Sequence, residues 1–94
     1  MKIHVKLRGF PHLYKLMKKK KDLDLDIPGD TVGGVVDTLS KKYGDAVRKA
    51  LLDQGGDIDI DFRVVINDRD YLEHGKRMQT PLNGGDSVCF MGPR

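Results

Sequence analysis

Thr80-Pro81-Leu82-Asn83-Gly84-Gly85-Asp86-Ser87-Val88-Cys89-Phe90-Met91-Gly92-Pro93-Arg94 closes the sequence. Gly84-Gly85-Asp86 reads as a turn. Ser87 to Met91 then read as a short strand, with Val88 and Phe90 on one face and Cys89 and Met91 on the other. The turn lacks the lysine and hydroxyl of a phosphate-binding loop. With so little chain after Met91, any chemistry at this end is expected to be done to the terminus itself. The rest of the chain reads as a sheet and helix that hold this strand.

Upstream, Ile58, Ile60, Phe62, Val64 and Ile66 alternate with Asp57, Asp59, Asp61, Arg63 and Val65. This predicts a strand that begins at Ile58 or Ile60 and turns at Asn67-Asp68-Arg69. Tyr71-Leu72 begins a short return strand, and Glu73 to Asn83 read as an irregular connection. Further back, Asp30 or Thr31 can cap a helix carrying Val32, Val35, Val36, Leu39 and Tyr43 on one face, with Gly44 as its left-handed stop. Gly33 and Gly34 in its first turn cost up to about 1 kcal/mol each in propensity. Either backbone approaches closely there or a helix terminus tolerates them. Asp45 can cap a second, shorter helix with Val47, Ala50 and Leu51 inward, ended by Gln54-Gly55-Gly56.

At the amino end, Ile3, Val5 and Leu7 alternate with Lys2, His4, Lys6 and Arg8, and Leu23, Leu25 and Ile27 alternate with Asp22, Asp24 and Asp26. Paired as an antiparallel hairpin, these strands set basic side chains against carboxylates, worth roughly a few tenths of a kcal/mol per pair. Residues 9–21 between them form a basic loop, long for a hairpin, in which Leu13, Leu16 and Met17 make one stripe of a short helix. A mobile or partly helical excursion is expected.

The 94 residues suit one domain, 1–94, with a single modest core and no deep catalytic cleft. The 38% apolar fraction is too high for a disordered chain. Met1-Lys2-Ile3-His4-Val5-Lys6 alternates instead of leading into an apolar stretch, so neither a secretory leader nor a membrane span is expected, and the cytoplasm is the default. The single cysteine, Cys89, excludes an internal disulfide and suits a reducing compartment. His4, His12 and His74 lack metal-ligand spacing. Asp22-Leu23-Asp24-Leu25-Asp26 and Asp57-Ile58-Asp59-Ile60-Asp61 open like calcium loops but continue with Ile27 and Phe62, where the sharp turn needs glycine, so no metal site is expected. No Ser, Cys or His has an evident base and orienting partner, which argues against an enzyme.

Taken together, the basic first strand, the Asp30-Thr31-Val32 helix start with its Leu39 and Tyr43-Gly44 end, the Val64-Val65-Ile66-Asn67 strand end and the Thr80-to-Val88 motif resemble the ubiquitin-like β-grasp sulfur carriers. These are the small subunit of molybdopterin synthase (MoaD) and the thiamine sulfur carrier (ThiS), which commonly show Thr, Leu, then Gly-Asp-x-Val before the final strand. The resemblance implies an α+β ubiquitin-like β-grasp fold: a mixed four- to five-stranded sheet packed on one main helix plus a short second helix. It implies a final strand in the middle of the sheet, parallel to the first and beside the third. Ile3, Val5, Leu7, Phe62, Val64, Val88 and Phe90 would then face the helix. The open face would run acidic, basic, then apolar around Val65, Cys89 and Met91. Val65, Cys89, Met91 and Gly92 form either a partner-docking patch or isolated apolar residues on an ordinary surface.

In that family the carboxyl end is Gly-Gly, which a partner enzyme adenylates with ATP and converts to a thiocarboxylate that donates sulfur. The resemblance therefore implies an adenylating, ubiquitin-activating-type enzyme or a molybdopterin-synthase-like large subunit as partner, with ATP used by that partner and no cofactor bound to this chain. An unbranched, permissive end is needed to thread a narrow channel. Met91-Gly92-Pro93-Arg94 departs from this, because proline fixes φ and arginine adds a long charged side chain. As written, the end is not that of a competent carrier. Trimming of Pro93-Arg94 to leave Gly92 reactive, a relative that kept the fold for binding only, or a different true terminus would each account for it.

A second reading rests on the residue 9–21 loop. Phe10, His12 and Tyr14 interleave with Lys15, Lys18, Lys19, Lys20 and Lys21, as aromatic and basic groups do in single-strand nucleic-acid sites. Phe10, Tyr14 and Lys18 to Lys21 are its candidate contacts, and a solvated, solubilising loop is the plainer alternative.

Overall fold

In the computed structural model, which describes residues 1–9, 11–71 and 75–92, the amino-terminal alternation becomes β1 (Lys2–Arg8), paired antiparallel with β2 (Asp22–Asp26). The charge-matched register is present: Lys2 lies opposite Asp26, His4 opposite Asp24 and Lys6 opposite Asp22. Between the strands, the expected partly helical excursion forms α1 (Pro11–Leu16). Its stripe is an anchor, since Leu13 and Met17 are fully buried. The amide of Leu7 donates to the carbonyl of Lys21 at 2.8 Å and closes the excursion onto β1. Phe10 lies outside the described residues.

Thr31 is the cap of α2 (Val32–Tyr43): its hydroxyl accepts from the Gly34 amide at 3.3 Å. Val32, Val35, Val36 and Leu39 are buried on one face, each worth roughly 1.5–3 kcal/mol of apolar transfer. Gly44, at φ 103°, ends the helix, and its amide donates to Ser40 at 2.8 Å. At Gly33 backbone does approach closely: a Cβ there would stand 2.9 Å from the carbonyl oxygen of Met78, so the position requires glycine. In α3 (Ala46–Leu51), Val47 and Leu51 are buried. Asp45 does not cap it as expected. It already has helical backbone angles and makes no capping bond, and its carboxylate instead lies 3.8 Å from the Arg48 guanidinium.

The third strand is shorter than its alternation predicts. β3 spans Arg63–Ile66 only, because the carbonyls of Ile58, Asp59 and Phe62 are engaged elsewhere. Arg77 donates to the carbonyls of Ile58 and Asp59 at 2.7 Å each and to that of Phe62, while the Asp59 carboxylate turns back to the Asp61 amide. Ile58 pairs instead in an isolated antiparallel bridge with Leu52, away from the main sheet. β4 (Asp70–Tyr71) pairs antiparallel with β3, and Leu72 lies outside the described residues. The connection expected to be irregular contains a 3₁₀ turn at Arg77–Gln79. Arg77 is 3% exposed there, the one buried charged residue among those described. Asp57 ties the other side of this knot, accepting from the amides of Gly75 at 2.7 Å and Met78 at 2.9 Å. Burial opposes its ionisation, but those amides hold its carboxyl below the usual range.

β5 (Ser87–Met91) completes a five-stranded sheet of order β2-β1-β5-β3-β4. It is parallel to β1 and antiparallel to β3, which is the mixed α+β arrangement of the ubiquitin-like β-grasp. Ile3, Val5, Leu7, Val64, Val88 and Phe90 are buried in one core with the inner face of α2, and Phe62 packs partly buried against it. Phe90, fully buried, is the largest side chain in that core.

Candidate functional site

The closing strand is fixed at its start by a polar clasp. Asp86 accepts from the Asn83 amide at 2.8 Å and from the Asn67 side chain at 3.1 Å, and the Asn67 carbonyl oxygen in turn receives the Ser87 amide at 2.9 Å. The Asn83 amide, then the Asn67 side chain, hold the Asp86 carboxyl below its ordinary value. Gly85, at φ 89°, makes the turn, and its amide donates to Lys2 at 2.8 Å. Asn67 itself sits at φ 55°, a conformation asparagine tolerates.

From this clasp β5 runs through the middle of the sheet. Its open face shows two rows: Lys6, Cys89 and Val65 side by side, then Arg8, Met91 and Arg63. Pairing continues one residue past the strand, because the Gly92 amide donates to the carbonyl of Arg8 at 2.7 Å. Gly9 lies against this exit, at φ 63°, and a side chain there would come within 3.9 Å of the Gly92 nitrogen. The sheet end is therefore narrow, basic on both flanks and unobstructed by side chains at Gly9 and Gly92. A carboxyl at Gly92 would stand at the end of the sheet's central strand. To engage it, a partner must close on that end of the sheet or open the Gly92–Arg8 bond.

The four residues expected to meet a partner do come together here, but unequally. Val65 and Cys89 are only 7% and 5% exposed, while Met91 and Gly92 are half-buried. The accessible part of the face is thus its charged frame. Burial pushes the Cys89 thiol up, with Arg8 and Lys6 opposing. At the acidic edge, His4 places Nδ1 2.8 Å from Asp24 and Nε2 3.1 Å from Asp22. The Asp24 hydrogen bond, against slight desolvation and helped by Asp22, raises its pKa.

Arg8, Gly9 and Arg63 also line this exit, and no local pattern in the sequence marks them. The signal was the parallel β1–β5 pairing, which puts the end of β1 beside the end of β5. Of the second set of candidates, Lys18 to Lys21 are exposed and Tyr14 is half-buried. No described helix is long and apolar enough to cross a membrane.

No protein-family profile matches the sequence, and no curated protein matches it. Solved structures do match over nearly the whole chain. Urm1 from Trypanosoma brucei is 29% identical, with 99% of this chain and 92% of that chain covered and a TM-score of 0.73. SAMP1 from Haloferax volcanii is 19% identical, with 100% and 97% covered and a TM-score of 0.75. CysO from Amycolatopsis orientalis, in its complex with BexX, is 13% identical, with 98% and 96% covered and a TM-score of 0.78. The fold is that of these proteins, as the resemblance to ubiquitin-like sulfur carriers implied.

Proposed function

We propose that this ubiquitin-like β-grasp chain is a sulfur-carrier-like protein of cofactor biosynthesis or thiolation, acting in a reducing, cytoplasmic compartment as a carried partner and not as a catalyst. The observation that carries the reading is the Gly92-to-Arg8 hydrogen bond. It locks the chain's exit to the centre of a five-stranded sheet, between two arginine-bearing strand ends, so a partner that binds the open face meets the outgoing chain in one fixed place. The complex of CysO with BexX supports partner binding by a protein of this fold.

The partner class is an adenylating enzyme or a molybdopterin-synthase-like large subunit. In the adenylating case, a carboxylate oxygen of the carrier's terminus attacks the α-phosphorus of ATP and pyrophosphate leaves; hydrosulfide then attacks the acyl carbon, the acyl–oxygen bond to AMP breaks, AMP leaves and the thiol proton is lost to give the thiocarboxylate. The residues of this chain bind and aim; the partner holds the nucleotide. Proline after Gly92 has no N–H to extend the ladder and cannot thread as glycine does. Thiocarboxylate chemistry on this chain is accordingly read as requiring Gly92 as the carboxyl end, and a chain that keeps Pro93 after Gly92 acts as a protein-binding relative.

The test mixes a candidate adenylating enzyme, ATP and a variant ending in Gly-Gly, and looks for the acyl-adenylate by intact mass. Adduct on the Gly-Gly variant and none on the unprocessed chain is the expected result. No adduct and no complex with any such enzyme overturns the proposal. Intact mass of the native protein separately reports whether Gly92 becomes the terminus, and a full-length end in cells rules out trimming.

A further inference from the structure

The geometry points to a second site, independent of the carrier reading: the excursion between β1 and β2 binds single-stranded nucleic acid, with Tyr14 as the stacking surface and Lys18 to Lys21 as phosphate contacts. Residues 9–21 hold five of the chain's 17 lysines and arginines and none of its 14 acids, so the rest of the chain is net negative. Lys15 and Lys18 to Lys21 are all exposed. Beside them lies a cleft of about 240 Å³ lined by Leu7, Gly9, Pro11, Tyr14 and Lys21. Its walls offer a flat aromatic ring, an aliphatic floor and one cation, the combination that accepts a base and its phosphate. The Lys21 ammonium stands over the Tyr14 ring, 5.9 Å from its centroid, so a base that stacks on that face moves the lysine aside toward the accompanying phosphate.

The lysines are held in place. Leu13 and Met17 anchor the segment in the core, and the amides of Lys18 and Lys19 donate to Lys15 at 3.2 Å and Tyr14 at 2.9 Å. Lys18 and Lys19 sit consecutively at φ 56° and 64°. Glycine adopts that conformation freely and lysine does not, so these positions carry charge at the expense of local stability. Binding then needs no reordering of this anchored backbone, only of the exposed lysine side chains. The nearest carboxylate in sequence, Asp22, is engaged by His4 at 3.1 Å. An acidic protein surface would satisfy the charges alone, whereas a nucleotide fills the Tyr14 cleft and the lysine row together.

Fluorescence anisotropy with a short labelled oligouridylate and the full chain tests the assignment. Binding at low ionic strength should weaken with salt at a log–log slope of about −2 to −3, corresponding to about three or four phosphates on a single strand. Tyr14→Leu should weaken it about tenfold. The double variant Lys18→Gly, Lys19→Gly should weaken binding while the melting temperature holds or rises, which separates lost contacts from lost folding. Absence of binding at low ionic strength overturns the site. Full affinity in Tyr14→Leu, or displacement by polyglutamate as effective as by the oligonucleotide, also overturns it and leaves an acidic protein as the occupant.

Discussion

Nδ1 of His4 lies 2.8 Å from a carboxylate oxygen of Asp24, across the β1–β2 register. Since Nε2 also meets Asp22, both ring nitrogens face carboxylates, and the doubly protonated imidazolium is the form they favour. The pKa is raised above 6.5 in the folded chain, first by the Asp24 bond. A raised basic group stabilises the fold fully below its unfolded pKa, and that contribution disappears as pH climbs through the folded value. The melting temperature should therefore decline as pH rises from about 6 through the neutral range, and Asp24→Asn should flatten the decline. An identical pH profile in His4→Ala and wild type would show that the cluster contributes nothing.

Gly33→Ala should destabilise α2 although alanine is the better helix former. The gain of up to about 1 kcal/mol in propensity is outweighed by a Cβ placed 2.9 Å from the Met78 carbonyl oxygen, a backbone clash costing about 1–3 kcal/mol. Gly34→Ala is the control, since its Cβ would meet Ile27 at an ordinary 3.6 Å. Urea midpoints should fall for the first variant and hold or rise for the second.

Arg77 is a brace for residues 58–62, with guanidinium bonds to Ile58 and Asp59 at 2.7 Å and a third to Phe62. Arg77→Met leaves those carbonyls without their charged donor and should cost about 3 kcal/mol. Arg77→Lys keeps the charge but not the planar fork and should recover less than half of that. Denaturant titration of the three proteins measures both; a lysine variant as stable as wild type would mean that charge alone suffices.

The parts legible in the sequence are those written in repeating side-chain patterns. The β1–β2 hairpin announces itself in the alternation from Lys2 to Arg8 against Asp22 to Asp26, and α2 in its valines and Leu39. What stayed hidden depends on one residue meeting another far along the chain. The alternation through Ile58 to Phe62 reads as strand because nothing nearby reveals that Arg77 will claim its carbonyls. A buried arginine is invisible to a hydrophobic pattern, and Gly33 has no meaning until Met78 is placed against it. In the site, Cys89, Met91 and Gly92 were legible from β5 itself. Arg8, Gly9 and Arg63 needed the register of its two neighbours, and local periodicity carries no information about which strands become neighbours.

Cys89 should behave as a protected thiol in spite of lying on the open face. It is 5% exposed, between Lys6 and Val65 in the sheet register, and burial raises its pKa while Arg8 and Lys6 pull the other way. At mildly alkaline pH an aromatic disulfide reagent should modify native protein at least about a hundredfold more slowly than protein in urea, because only the thiolate attacks and it must first be uncovered. Arg8→Met keeps the side-chain bulk and removes the cation, so the thiol should titrate higher still, as followed by thiolate ultraviolet absorbance. A downward shift in that variant would mean that Arg8 acts by covering the sulfur and not by its charge.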